Sequence, residues 1–309
     1  MALGLCCQYV EKELSPRGLE KQKNIFNERI LQLGRWNSGK YTESEVRQVY
    51  LSNVDNLLTA FRRVVSDGYK CFRFSSNLIP LADRVPREWW DNDKLRERFF
   101  KFGELARSAG VRITTHPGQF VVLSSDSQSV IDNGIKDLET HAWIMEAMGM
   151  DRSPFYSINI HGGKGGRSDN LIRTIKTLPD SIKTHLTLEN CETAYSVPEL
   201  KIVSDATGVP IVLDVHHHTF RTGGLDLSEA IHVSTQTWRG LKPLQHLSNS
   251  KPDLPEDAPM GHKRAHSDWV RYIPKEQLEI LSKVDVEFEF KMKNWAIELA
   301  IKEHGLQLS

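Results

Sequence analysis

Imidazole and carboxylate side chains recur in this chain at the ends of short β-rich runs, the placement that a shared metal site needs. His116 follows the run 112–115, and His161 ends the run 157–161. Glu189 ends 186–189, Asp214 ends 210–214, His246 ends 243–246 and Glu289 ends 284–289. Three neutral imidazoles and three carboxylates gathered in one space call for cations, and these groups are ligands for Zn²⁺, Mn²⁺ or Fe²⁺. The carboxylates carry about −3, so two or three divalent ions would leave a net positive site, which suits a phosphate. Two more candidates are close in sequence. The turn Asp214-Val215-His216-His217-His218 can bring one of its histidines back, and His266 lies in a long loop after the seventh run.

For these residues to meet, the runs must be strands whose C-terminal ends converge. Eight such runs are present: 2–7, 70–74, 112–115, 157–161, 186–189, 210–214, 243–246 and 284–289. Amphipathic segments separate them. Thr42 and Glu45 form a capping box, followed at helical spacing by Val46, Tyr50, Val54, Leu57, Phe61 and Val64. Segment 127–149 repeats the pattern with Ile131, Ile135, Leu138, Ala142 and Met145, and Gly149 stands at its end. Strands alternating with helices imply a parallel sheet, and eight units in 309 residues imply a closed (β/α)₈ barrel over residues 1–309 as one domain. An open doubly wound sheet is the alternative, but no GxGxxG follows the first strand. Alternation puts Thr114, Asn159, Thr187, Val212 and Glu287 on the inner face with the ligands, and predicts a wet interior. Ile113, Ile158, Ile160, Leu186, Leu188, Ile211, Leu213, Phe288 and Phe290 face the helices. Glu287, inside below Glu289, needs a partner or a proton. Residues 10–41 and 247–274 are insertions, long enough to be functional.

Bulk composition narrows the class. Forty Lys plus Arg balance forty Asp plus Glu, so no whole-molecule charge draws the chain to nucleic acid or membrane. No apolar run approaches ~18 residues, which excludes a membrane span. Cys6, Cys7, Cys71 and Cys191 make no CxxC pair, and residues 1–10 lack a signal-peptide pattern. A reduced, cytoplasmic protein is expected. Other motifs have two readings each. His161-Gly162-Gly163-Lys164-Gly165-Gly166 is a backbone cradle for phosphate or a flexible loop. Lys263, Arg264, Lys291 and Lys293 contact a DNA backbone or are ordinary surface. Phe120, after His116-Pro117-Gly118-Gln119, is a loop-tip wedge or a buried anchor.

At these residues the chain resembles the UV damage endonuclease family, metal-containing TIM-barrel relatives of endonuclease IV. The matching stretches are Phe72-Arg73-Phe74-Ser75-Ser76-Asn77-Leu78-Ile79-Pro80, His116 to Phe120, Asn159 to Gly163, Leu186 to Asn190, Asp214 to His217, His246-Leu247-Ser248, Ala265-His266 and Glu287 to Lys291. Leu3-Gly4-Leu5-Cys6 is a weaker match. The resemblance implies metal ligands at His116, His161, Glu189, Asp214, His217, His246, His266 and Glu289, with Glu189 bridging. It selects His217 among the three adjacent histidines, and manganese as the metal, with zinc or magnesium as alternatives. It makes Gln119 and Phe120 a pair that probes the damaged duplex. Three positions depart from the pattern: Asn77 where some relatives have His, Leu244 where some have a modified Lys near the metals, and Leu5 where an aromatic residue can touch DNA.

The expected function is incision of the phosphodiester immediately 5′ to a UV photoproduct, leaving a 3′-hydroxyl, by multi-metal-assisted hydrolysis. Glu189, His161, Asp214 and Glu289 are expected to carry the catalysis. Gln119, Phe120, Asn77, Lys263, Arg264 and Lys291 are expected to contact damaged double-stranded DNA. No membrane and no obligate protein partner is expected. The location is cytoplasmic, nucleoid-associated on DNA, or the host cytoplasm for a viral protein. The rival readings are an abasic-site endonuclease of the endonuclease IV type, a metal-dependent sugar isomerase or epimerase, and a non-catalytic binding protein.

Overall fold

The computed structural model describes residues 2–14 and 20–306. Eight parallel strands close a barrel: β1 (Ala2–Cys6), β2 (Cys71–Phe74), β3 (Arg112–Thr115), β4 (Ile158–Ile160), β5 (Leu186–Glu189), β6 (Ile211–Asp214), β7 (Leu244–Leu247) and β8 (Asp285–Phe288). Neighbours in the barrel are neighbours in the chain, and β1 pairs with both β2 and β8. The alternating pattern therefore resolves as the closed barrel, not the open sheet. Each expected strand is present, with ends shifted by at most a residue or so.

The helices form for the reasons their sequences suggest. In Glu43–Ser66, Thr42 Oγ1 accepts from the Glu45 amide at 3.3 Å while the Glu45 carboxylate accepts from the Thr42 amide at 2.8 Å. Val46, Tyr50, Val54, Leu57, Phe61 and Val64 are all buried against the barrel. Gln128–Ala147 buries Ile131, Leu138, Ala142 and Met145, with Ile135 half-buried, and Gly149 ends it at φ +67°. That left-handed backbone favours glycine.

The two insertions are structured. Val10–Leu14 and Glu20–Asn24 pair as an antiparallel hairpin, with residues 15–19 of the same insertion lying outside the described set. Asn294 clamps Val10 through both backbone groups, at 2.9 and 3.1 Å. Asn53 does the same for Arg29, at 2.8 and 3.0 Å, although its helical position reads as polar. In 247–274, Asn249 Oδ1 accepts from the Arg271 amide and the Asn249 carbonyl from the Ser267 amide. These bonds fold the loop back so that His266 returns to the barrel mouth.

The interior is built in layers. At the N-terminal end Arg112, 1% exposed, bonds Asp285 at 3.1 Å and the carbonyls of Phe155 and Lys242. Its guanidinium lies 4.4 Å from the Phe155 ring centre and 5.0 Å from that of Trp238. Above it, Cys71, Val212, Trp238 and Leu244 form an apolar cluster. Thr187 bonds Asn159 at 2.9 Å, and Thr114 bonds Glu287. The inner residues are those alternation selects, but these polar groups fill the barrel by bonding one another, so the wet interior expected from the sequence is a packed one. Gly4 belongs to this packing. A Cβ there would stand 3.0–3.1 Å from Cys71 and from Glu287 Cγ, so a side chain at this point would crowd both of these buried side chains.

Asp285→Ala should strand the Arg112 charge. Urea unfolding is expected to show a loss of about 3–5 kcal/mol, and an unchanged midpoint would refute the role given to this pair.

Candidate metal centre at the barrel mouth

The C-terminal strand ends open into a cavity of about 510 Å³. Each parallel strand delivers its terminal inner residue to the same height. Register places Asp214 beside His246 and His246 beside Glu287, so residues scattered over more than 170 positions become neighbours.

Glu189 is the hub. Its Oε2 lies 3.0 Å from His116 Nε2 and 3.3 Å from His246 Nδ1, and its Oε1 lies 3.4 Å from His217 Nδ1. Asn159 also donates to Oε2. The His161 ring centre is 4.9 Å from that of His116 and 5.4 Å from that of His217. His246 Nδ1 stands 3.2 Å from Glu289 Oε1, and its Nε2 stands 3.1 Å from Glu287 Oε2. Glu287 thus has the partners its burial demands: Thr114, His246 and Arg73. Three of the groupings have donor atoms within 4.8 Å of one another: His116, His161 and Glu189; Glu189, Asp214 and His217; Asp214, His246 and Glu289. His266 stands farther out, 3.6 Å from Glu289 Oε2.

Among the three adjacent histidines, geometry separates the roles. Asp214 caps the short helix Val215–Phe220 by accepting from the His217 amide at 2.7 Å, which turns His217 inward. His216 instead faces the Arg264 carbonyl at 3.2 Å, and His218 is buried away from the mouth cavity.

Electrostatics follow from burial and crowding. Burial would raise the Glu189 carboxyl, but His246, His161, His116 and His217 together hold it well below the usual carboxylate range. Burial likewise opposes a charge on His217, yet Asp214, Glu189 and Glu192 carry it up to about 11. At His161 burial prevails and lowers the imidazole to about 4. His246 is raised well above its ordinary value because Glu189 and Glu289 outweigh its burial.

The donor set fits divalent cations. Asp214 Oδ2 and His161 Nδ1 are buried without a hydrogen-bond partner. Buried polar atoms are normally paired, and here the orphans are the atoms that a shared ion would take. The carboxylates and imidazoles are of the types that hold Mn²⁺ or Zn²⁺.

The rim holds some of the expected DNA contacts and not others. Gln119 lines the mouth, and Phe120 is 63% exposed, which rejects the buried anchor. Lys291 and Lys293 line an adjoining recess with Arg73, His266 and Glu289. Asn77 is exposed and lines a separate recess beside Phe120. Lys263 donates to the Glu256 carbonyl of its own loop, and neither it nor Arg264 lines the mouth. The glycine loop packs closely: a Cβ on Gly163 would stand 2.6 Å from Val122, and the Lys164 amide donates to Ser124 Oγ at 2.6 Å. Two mouth residues escape a reading by strand ends. Glu192 is 3.6 Å from His217 Nε2 but sits in a loop, and Arg73 is a cation inside a strand.

Comparisons with known proteins agree with this geometry. The family model described as UV-endonuclease UvdE matches residues 3–307. The UV DNA damage endonuclease of Nostoc sp. is 33% identical over 281 residues, 88% of this chain and 81% of that protein. The crystal structure of SacUVDE superposes with a TM-score of 0.79 at 25% identity, covering 99% of this chain and all of that one. Endonuclease IV from Thermus thermophilus shares the fold, with a TM-score of 0.55 at 15% identity, over 80% of this chain and 94% of its own.

The His217 shift has a definite sign. Its folded value lies above the ordinary ~6.5, so its contribution to metal-free stability is complete below ~6.5 and disappears as pH rises toward about 11. An ion must displace that proton. Apparent Mn²⁺ affinity should therefore rise roughly tenfold per pH unit as pH rises toward about 11 and level off above it, read by calorimetry in two buffers of different ionisation enthalpy. Affinity indifferent to pH, with no proton release, would contradict this.

Proposed function

Because the chain belongs to the UV-endonuclease UvdE family, a family of DNA repair endonucleases for UV damage, we propose that it nicks the phosphodiester immediately 5′ to a photoproduct and leaves a 3′-hydroxyl. The observation that supports this most is the gathering of His116, His161, Glu189, Asp214, His217, His246 and Glu289 at one mouth. We assign the ion-holding role to these residues and, at the outer edge, to His266. Two or three divalent ions, with manganese first, would supply activation of water and stabilisation of charge on the phosphodiester.

The protein's own groups then have separable tasks. The two oxygens of Glu189 face different imidazoles, so this carboxylate can serve neighbouring ions at once. Asn159 and Asp214 hold their partners by hydrogen bonds, which keeps the donors in place before substrate arrives. Gln119 and the exposed Phe120 ring stand on the rim, where Phe120 fills the space left by displaced lesion bases. A photoproduct stacks and pairs poorly, so bending and extrusion cost on the order of a few kcal/mol less than in intact DNA. With zero net charge overall, phosphate contacts must be concentrated around the mouth, and Lys291 and Lys293 line the recess that adjoins it.

The deciding experiment is cleavage of a duplex carrying one defined photoproduct, beside an abasic duplex and intact DNA, with MnCl₂. Scission 5′ to the photoproduct with polymerase-extendable ends is expected, abolished by EDTA. His161→Ala should lower the rate roughly 100-fold or more. Nicking that persists in EDTA, or preferential cleavage of the abasic duplex, would overturn the assignment.

Phe120→Ala offers an independent check. Its ring is exposed, so melting should be unchanged, while discrimination between damaged and intact duplex should fall. Equal discrimination by both proteins would remove Phe120 from lesion reading.

A further inference from the structure

One buried charge in the mouth has no task among the ion-holding residues. Arg73, on β2, pairs in register with Cys6 on one side and Thr114 on the other. Its guanidinium bonds Glu289 and lies 3.5 Å from Glu287 Oε2. Its Nε is buried without a hydrogen-bond partner, so the side chain is held there by charge more than by a full set of bonds. Arginine keeps its charge in any such environment.

Beside it lies a cluster of cation-site composition. Cys6 Sγ is 3.9 Å from Glu287 Oε2, and Cys6, Glu287 and Glu289 offer donor atoms within 4.8 Å of one another. Glu289 also belongs to the grouping with Asp214 and His246. One carboxylate is thus shared between an ion-holding group above and the Cys6 cluster below, and the Arg73 guanidinium stands against it.

We propose that Arg73 is a built-in cation that offsets the Glu287 and Glu289 charges, holds Glu289 toward Asp214 and His246, and excludes a divalent ion from the cluster with Cys6. This rests on the reading that the mouth binds divalent ions. Arg73 is a positioning residue. It acts by supplying a permanent charge where the imidazoles can supply only a conditional one.

The test uses the full chain as wild type, Arg73→Gln and Arg73→Lys. Each is melted in EDTA and in saturating MnCl₂, and bound manganese per chain is counted after gel filtration. In EDTA, Arg73→Gln should melt roughly 5–10 °C below wild type, because two buried carboxylates lose their partner. MnCl₂ should raise it more than it raises wild type, and an additional ion per chain should be bound. Arg73→Lys keeps the charge and should keep the wild-type ion count. A merely structural arginine would lower both melting points equally. That outcome, with an unchanged ion count, overturns the proposal. If Arg73→Gln folds only in MnCl₂, the proposal stands, and if MnCl₂ does not recover it, the proposal falls. A wild type that gains no stability from MnCl₂ would instead defeat the metal reading itself.

Discussion

Four carboxylates, those of Glu189, Asp214, Glu287 and Glu289, share one barrel mouth and the layer below it with little or no access to water. Burial and mutual repulsion both disfavour their charges. Everything around them answers this. His246 and His217 are driven toward their protonated forms, Thr114 and Asn159 donate hydrogen bonds, and Arg73 contributes a fixed positive charge. With the imidazoles neutral, as ion-holding donors must be, four negative charges against one permanent positive one leave about −3, a deficit that divalent ions would remove. The unpartnered atoms of Asp214 and His161 fall where the deficit is concentrated. A site so arranged gives up stability for chemistry, as functional sites commonly do.

The fold bears that load because the opposite end of the barrel is closed by a different solution to the same problem. Arg112 and Asp285 are also buried charges, but they pair with each other, Arg112 donates to the carbonyls of Phe155 and Lys242 between two aromatic rings, and the Lys242 amine stands against Asp285. Between the ends lies a layer of neutral, mostly apolar residues, with Gly4 leaving room for Glu287. Charge is completed at the bottom and left incomplete at the top. No helix among the described residues is long and apolar enough to cross a membrane, and the apolar faces of Glu43–Ser66 and Gln128–Ala147 are buried.

Much of this was legible in the residues. Helical spacing after Thr42 and in 127–149 predicted the buried faces, because amphipathic helices must turn their apolar side to the sheet. Strand-end histidines and carboxylates marked the mouth because parallel strands in a barrel bring their ends to one level. Asn53, Asn249 and Asn294 were not legible as structural residues. Each clamps backbone groups far away in the chain, and an asparagine looks the same whether it faces water or ties down a loop. Lys263 was equally illegible: its basic character suggested DNA, and only the structure shows its amine bonded to the Glu256 carbonyl of its own loop.

By itself, the order of residue types determined that strands and helices alternate, that the strands end in metal-ligand chemistry, and that the family likeness runs through the motifs from Phe72 to Lys291. These are local properties, set by propensity, alternation and side-chain type. The family likeness picked His217 among the three adjacent histidines, but only the tertiary structure gave the reason, the Asp214 cap that turns it inward, and decided how far out His266 stands and that Arg73 and Glu192 join the mouth. Those outcomes depend on distances between segments far apart in the chain. Electrostatic coupling changes steeply over a few ångströms in a buried site, and no pattern along one strand records such distances.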